Sequence, residues 1–173
     1  MVEKMNDVRL LRADEIECRV GQVAKDKTGC SLLLYKDARV DMRILDETVG
    51  AGNWTRSHRL VGNNLYCRVS IWSNELGMWI PKEDVGTESN TEAVKGEASD
   101  AFKRACFNWG IGRELYSAPF VWVKFNDDEL SGKVRPKYKV ADIECDDKRN
   151  IIRLVIVDSK GAPRYEYTKG GRR

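Results

Sequence analysis

The sequence predicts an α+β fold in which an antiparallel β-meander packs on a long helix and a β-hairpin follows towards the C-terminus. Several short segments alternate apolar and polar residues between Gly- and Asn-containing turns, which is typical of antiparallel strands. Over residues 91–109 the apolar residues recur at helical spacing instead. The length of 173 residues fits one domain, or one domain with a small appendage, and a hydrophobic content of 42% is enough for a core.

The first predicted elements are a β-hairpin and a short amphipathic helix. The hairpin covers residues 17–35 and has a polar turn at 25–29. The helix is predicted over residues 37–49, where Asp37 can cap the first turn. The Gly-Ala-Gly sequence at 50–52 ends this helix.

The meander is predicted from three strands, over residues 54–61, 65–73 and 77–81, with short polar turns between them. The middle strand alternates cleanly, so one set of its side chains should face the core: Leu65, Cys67, Val69 and Ile71. The other set should face away from it: Tyr66, Arg68, Ser70 and Trp72.

The long helix is predicted over residues 91–109, after a polar connection at 82–90 in which Ser89 or Asn90 can cap it. Small and aromatic residues define its core face: Ala98, Ala101, Phe102, Ala105, Cys106 and Trp109. The Gly-Ile-Gly sequence at 110–112 closes this helix and opens none. It is therefore interpreted as a helix stop and not as a phosphate-binding loop.

The rest of the chain is predicted to be rich in strands. A strand at 119–125 and a polar loop at 126–136 precede the second hairpin, in which 138–145 pairs with 151–157. A short strand and a basic tail follow from residue 159. We divide the chain into a flexible N-terminus (1–11), a core (12–120), a C-terminal hairpin extension of the same domain (121–168) and a basic tail (169–173).

Composition argues against several classes of protein and site. The chain has no run of eighteen apolar residues and no N-terminal apolar segment, so we expect a cytoplasmic protein without a membrane span or a secretory signal. The five cysteines are scattered, which indicates reduced thiols and no Cys-x-x-Cys metal pair. His58 is the only histidine and is interpreted as a strand residue. The acidic pairs at 127–128 and 146–147 lie in predicted turns, where solvated carboxylates are common.

Basic residues on the long helix and the middle strand give the strongest functional signal. Lys95, Ser99 and Lys103 form one row at i, i+4 spacing without an acidic member, and Arg104 adjoins it. The plain interpretation pairs Asp100 with Arg104 and leaves a solvated face. The outward face of the middle strand alternates aromatic and basic groups, which can stack on bases and neutralise phosphates. Because the net charge is only +3, a nucleic-acid partner requires these cations to be clustered.

These segments resemble the Rad52-like single-strand annealing proteins, and in particular their bacteriophage (Sak-type) branch. Residues 95–116, KGEASDAFKRACFNWGIGRELY, are similar to the family's signature helix and the segment after it. The Gly-Asn-Trp sequence at 52–54 is similar to the Gly-x-x-Trp that follows the family's short helix. Residues 66–71 and the Asp-Val-Gly sequence at 84–86 are similar to its meander strands. The resemblance spans residues 15–120.

The resemblance implies a curved meander on the long helix, assembled into rings or helical filaments, with single-stranded DNA in a basic groove. It also implies that Lys103 and Arg104 contact phosphates and that Arg68 is a strand arginine of the groove. The family often has a basic residue three positions after the Lys-Arg pair, where this chain has Phe107, and Arg113 is a candidate replacement. The remaining DNA-binding candidates are Arg19, Lys25 and Lys27 of the first hairpin, Lys95 of the helix, and Tyr66 and Trp72 as base-stacking residues.

We therefore expect a homo-oligomer that binds single-stranded DNA and anneals complementary strands in homologous recombination, in the host cytoplasm if it is phage-encoded. The resemblance implies no ATP, metal or other cofactor. Annealing aligns strands without a covalent step, so no enzyme is expected. A single-strand DNA-binding protein is a candidate partner. The alternative is a module that binds or protects single-stranded DNA or RNA without annealing it. A metal-dependent nuclease, which needs converging carboxylates, and a purely structural protein are further alternatives.

Overall fold

A computed structural model describes residues 8–87 and 93–171, with the side chains of 93–95 outside that description. Its helices are α1 (Ala38–Val49), α2 (Ala93–Asn108) and α3 (Asp127–Leu130). Its strands are β1 (Glu17–Val23), β2 (Gly29–Tyr35), β3 (Trp54–Val61), β4 (Asn64–Ser73), β5 (Met78–Val85), β6 (Val121–Lys124), β7 (Tyr138–Cys145), β8 (Ile151–Asp158) and β9 (Pro163–Thr168). The α+β class with mainly antiparallel strands is confirmed. The predicted caps Ser89 and Asn90, the start of the helix at Thr91, residues 1–7 and the last two residues of the basic tail lie outside the described residues.

Contacts divide the chain into two units. The meander unit contains residues 8–10 and 38–112, and the six-stranded unit contains residues 11–37 and 113–171. The expected core of 12–120 therefore includes parts of both units, because the first hairpin groups with the C-terminal strands. Within the described ranges, no helix combines the length and the apolar composition that are needed to cross a bilayer.

The meander unit is built on the antiparallel sheet β3-β4-β5. The predicted alternation of β4 is confirmed, since Cys67, Val69 and Ile71 are buried and the intervening side chains are half-buried. Helix α2 covers the buried face through its predicted core residues, of which Phe102 is fully buried. The Trp109 indole Nε1 donates a hydrogen bond to the Val69 carbonyl at 3.0 Å and ties the end of α2 to β4.

Strand β5 is longer than the sequence predicted. Residues 82–85 were assigned to a polar connection, but they continue the strand, with Lys82 opposite Val69 and Asp84 opposite Cys67. Because these side chains are polar, the segment lacks the alternation of apolar and polar residues that predicts a strand. The strand then meets α2 at Gly86, where a Cβ atom would lie 2.2 Å from the Glu97 carbonyl oxygen. Only glycine permits this close approach of the two backbones.

The six-stranded unit is one antiparallel sheet in the order β6-β2-β1-β7-β8-β9. The first hairpin is confirmed as β1 and β2, and the second is confirmed as β7 and β8. The two hairpins share this sheet, but β1 pairs with β7 at a single position, Glu17 opposite Lys139. The predicted short strand after the second hairpin is β9, which pairs with β8.

The loop at 126–136 contains a short helix that the sequence analysis missed. Asn126 caps α3 by accepting a hydrogen bond from the Glu129 N–H at 2.9 Å. The Glu129 carboxylate is nearly buried and pairs with Arg164 at 2.7 Å, and it accepts a hydrogen bond from the Tyr138 hydroxyl at 2.9 Å. Burial alone would raise the pKa of Glu129, but the hydrogen bonds from Arg164 and its neighbours lower it. This cluster ties the loop to β7 and β9.

Candidate nucleic-acid interface

Helix α2 presents Arg104 on the flank that faces β5. Its Nε and Nη2 atoms both lie 3.3 Å from Asp84 Oδ1 of β5. The pairing of Arg104 with Asp100 that the plain interpretation required is wrong, because Asp100 instead accepts hydrogen bonds from the N–H and hydroxyl of Thr87. An exposed ion pair of this kind contributes at most about 1 kcal/mol. Asp84 therefore orients the Arg104 side chain through an ion pair that contributes little to stability.

Lys103 lies on a different side of α2 from Arg104, since successive residues of a helix are rotated by about 100°. Its side chain is half-buried and makes no ion pair or hydrogen bond with any described residue. A phosphate would give this ammonium the partner that the described part of the chain does not supply. The predicted Lys-Arg pair thus lies on helix α2. Arg104 is paired with Asp84, and Lys103 is open, which here means that it has no ion-pair or hydrogen-bond partner among the described residues.

Arg68 lies on the face of the meander sheet that points away from α2. Its Nη2 atom lies 3.1 Å from Glu83 Oε2, and Arg59 of β3 reaches Glu83 Oε1 at 2.6 Å. The hydrogen bond from Arg59, together with that from Arg68, lowers the pKa of Glu83 despite the opposing effect of desolvation. Two guanidinium groups share one carboxylate, which leaves this cluster with a local charge of +1.

Arg59 is not among the residues predicted from the sequence, although the turn after β3 predicts which residue of β4 lies opposite it. A two-residue turn joins β3 to β4 and places Val61 opposite Asn64. This register puts Arg59 opposite Tyr66, and the Arg59 guanidinium lies 5.8 Å from the centre of the Tyr66 ring. Tyr66 is therefore already in contact with a cation.

Trp72 lies towards the other end of the same sheet face and pairs with an aromatic residue that the sequence analysis also missed. Its ring meets that of Trp79 edge to face, with centroids 5.5 Å apart. Its indole N–H donates a hydrogen bond to Asn74 Oδ1 at 2.9 Å. Trp79 is 39% exposed and Trp72 is half-buried, so both rings remain in reach of a base.

The predicted residues of the meander unit thus form two groups. Tyr66, Arg68 and Trp72 lie on the open face of the sheet, whereas Lys103 and Arg104 belong to the helix that covers the opposite face. The resemblance implies one groove for these residues, but within one subunit the sheet separates the two groups. Lys95 belongs to α2, but its side chain lies outside the described residues.

Four predicted residues belong to the six-stranded unit: Arg19, Lys25, Lys27 and Arg113. All four are exposed. Arg19 lines an open groove of about 1510 Å³ where β1 and β7 diverge, and Lys25 and Lys27 lie in the hairpin turn. Arg113 opens the 3₁₀ segment Arg113–Ser117.

The side of β3 that faces α2 carries three further residues beside the helix. The Trp54 and Phe102 rings stack with centroids 6.2 Å apart, and the Arg56 guanidinium lies 4.8 Å above the Phe102 ring. His58 donates a hydrogen bond from Nε2 to the Ala98 carbonyl at 3.1 Å, which fits its interpretation as a strand residue. No motif in the sequence drew attention to Arg56.

The described part of the chain contains free thiols and no cluster of metal-binding side chains. All five cysteines are free thiols, and burial raises the pKa of both Cys18 and Cys67 to about 11, which keeps them protonated. Within residues 8–87 and 93–171, no group of three or more His, Cys, Asp and Glu residues is placed to hold a metal ion.

Comparison with known proteins relates a large part of the chain to proteins of DNA repair. Residues 9–134 match the family described as Rad52/22 family double-strand break repair protein. The chain is 32% identical over 117 residues to the single-stranded DNA-binding protein DdrA of Deinococcus deserti, an alignment that covers 66% of this chain and 57% of that protein. It is also 32% identical over 114 residues to DdrA of Deinococcus radiodurans, which covers 65% of this chain and 53% of that protein. The chain thus spans a little over half the length of these curated relatives.

Proposed function

The chain belongs to the Rad52/22 family of double-strand break repair proteins, and on that premise we propose that it binds single-stranded DNA and anneals complementary strands without ATP. The family is described as double-strand break repair proteins and the DdrA relatives as single-stranded DNA-binding proteins, which supports a binding function without an enzymatic step. Annealing requires that two strands be captured and aligned, which needs contacts to phosphates and no reading of the sequence.

The observation that carries this proposal is the state of the two cations on α2, inside the matched segment. Lys103 is open and Arg104 is held only by an exposed carboxylate at 3.3 Å. Both project from a helix whose side chains Ala101, Phe102, Ala105 and Cys106 are fully buried, so the backbone from which they extend is fixed before DNA arrives. Preorganised cations lose less entropy on binding than mobile ones do.

We further propose that the protein acts as a homo-oligomer, in a ring or a filament. One or two open cations per chain hold a strand weakly, but repeated copies along one strand gain avidity. The sheet of the meander unit also ends at two strands, β3 and β5, whose outer edges could pair between subunits. The resemblance of residues 95–116 supports the phage branch, a cytoplasmic location and a single-strand DNA-binding protein as partner, all as parts of this proposal.

The test compares wild type with the Lys103→Gln/Arg104→Gln double variant in two assays. Fluorescence anisotropy measures binding to labelled single-stranded DNA over a salt series, and a fluorescence-quench assay follows pairing of complementary strands without ATP. We expect at least tenfold weaker binding and a salt slope that falls by about 1.4, or about 0.7 for each lost phosphate contact. The matched control is Lys133→Gln/Arg135→Gln, which removes the same charge from an exposed loop.

Each alternative function has its own outcome in these assays. A wild-type protein that binds strands but leaves pairing at the spontaneous rate is a protecting module, and the annealing proposal is then rejected. Loss of labelled DNA only when magnesium is present indicates a nuclease. Binding that is unchanged in the Lys103→Gln/Arg104→Gln variant contradicts the proposed site.

A further inference from the structure

The flank of α2 that faces β3 differs in charge from the flank that faces β5. Strand β3 is an edge strand, and its side towards α2 carries Trp54, Arg56 and His58. None of these three residues is acidic. The residue of α2 that Arg56 covers is Phe102, and the next residue along the helix is Lys103. Arg56 thus lies above a buried ring of α2, and Lys103 is the residue that follows this ring along the helix.

Arg56 is held in place by aromatic contacts. Its guanidinium lies 4.8 Å above the Phe102 ring, which in turn stacks on Trp54. Trp54 is itself fixed, because its indole N–H donates a hydrogen bond to Asp46 Oδ1 at 2.7 Å. A guanidinium that stacks through its flat face keeps its N–H groups available around the edge. Those groups match the oxygen atoms of a phosphate in a bidentate arrangement.

Arg56 also has no anionic partner in the part of the chain that the structure describes. It is exposed and makes no ion pair with any described carboxylate. Lys103 is in the same state. Arg104, Arg59 and Arg68, in contrast, each contact Asp84 or Glu83 of β5. Of these five cations, Arg56 and Lys103 are the two that have no carboxylate partner among the described residues.

We propose that Arg56 binds the phosphodiester backbone of single-stranded DNA together with Lys103. This inference rests on the proposed function and deepens it, because it assigns the phosphate contact to the β3 flank and adds a residue outside the signature helix. The guanidinium above Phe102 supplies N–H donors, and the ammonium of Lys103, the next residue of α2, supplies a second charge.

The experiment measures single-stranded DNA affinity for Arg56→Gln and Arg56→Met over a salt series. Arg56→Met removes the charge but keeps an apolar chain over Phe102, so it protects the fold if Arg56→Gln does not. We expect both variants to bind about tenfold more weakly, as is typical for losing one charged hydrogen-bond donor, with a salt slope lower by about 0.7. Arg56→Lys should restore the slope but only part of the affinity, because it lacks the planar fork.

The matched control is Arg9→Met in the same unit, where Arg9 already pairs with Glu47 at 2.6 Å. We expect this control to change affinity by less than about twofold. Arg56→Met combined with Lys103→Gln should weaken binding more than either single variant does, because each substitution removes a proposed contact to the DNA backbone.

The outcomes separate this inference from the proposed function. If wild type does not bind single-stranded DNA, the proposed function fails. If Lys103→Gln weakens binding and folded Arg56→Met does not, the proposed function stands and the role of Arg56 is rejected. Equal losses in Arg56→Met and Arg9→Met also reject it, because they indicate a general effect of charge.

Discussion

The flanks of α2 that face β5 and β3 have similar numbers of cations, but these cations differ in their contacts with the protein. On the β5 flank, Arg104 pairs with Asp84, and the Lys82 ammonium donates a hydrogen bond to the Asn108 carbonyl at 2.9 Å, so both cations join the strand to the helix. On the β3 flank, Arg56 lies on an aromatic ring and Lys103 has no partner among the described residues. The Asp84 carboxylate accounts for the difference at Arg104, and a backbone carbonyl of α2 accounts for it at Lys82.

The comparison shows why net charge is a poor guide to binding in this protein. The chain carries 30 basic and 27 acidic residues, which is close to neutral. What matters is where the acidic residues are placed, because a cation beside a carboxylate must give up that contact before it neutralises a phosphate. A surface whose few cations have no carboxylate partner can therefore bind an external anion better than one with many ion pairs.

The largest expected effect tests whether the β5 flank depends on close backbone packing. We predict that Gly86→Ala lowers the free energy of unfolding by about 3 kcal/mol, because the added Cβ would lie 2.2 Å from the Glu97 carbonyl oxygen and force β5 away from α2. Urea denaturation measures the change. The control is Gly52→Ala, where a Cβ meets no atom within 4 Å and the loss should stay below about 0.5 kcal/mol. Equal losses for the two variants would show that β5 does not pack on α2 as described.

A smaller effect is expected from releasing Arg104. We predict that Asp84→Asn strengthens binding to single-stranded DNA about threefold, because the exposed ion pair that competes with phosphate is lost while the Asn side chain can still accept the hydrogen bond from the Val85 N–H. Anisotropy titrations at low salt measure the change. Glu75→Gln adds the same charge in an exposed turn of the same unit, so an equal gain there would mean that only net charge matters.

Periodicity predicted the parts of this fold in which one face is buried. The alternation in β4 and the helical spacing in α2 correctly separated core from surface, because Cys67 and Val69 must face Phe102 and its neighbours. Strand β5 was cut short at Pro81 because residues 82–85 have no apolar alternation. Their strand conformation comes from pairing with β4, which is a tertiary effect that a local pattern does not contain.

The sequence likewise indicated some residues of the candidate site and not others. The motif on α2 identified Lys103 and Arg104, since both lie on one continuous helix. Arg56 was missed because its significance depends on the contact between β3 and Phe102, which are distant in sequence. The contact of two arginines with Glu83 also depends on the register of three strands. The two-residue turn predicts the register between β3 and β4, but the register between β4 and β5 has no such signal in the sequence.

The smallest expected effect concerns acid stability on the open face of the sheet. Arg59 and Arg68 lower the pKa of Glu83 from its ordinary value of 4.5, so its contribution to stability is fully present above that value and is lost as the pH falls towards the lowered pKa. We predict that Glu83→Gln makes the free energy of unfolding less dependent on pH between about pH 5 and pH 3. Urea denaturation over this range measures the slope, and Glu75→Gln should keep the slope of the wild type. An unchanged slope in Glu83→Gln would mean that the two arginines do not hold this carboxylate in solution, and the open face would then offer free cations as the β3 flank does.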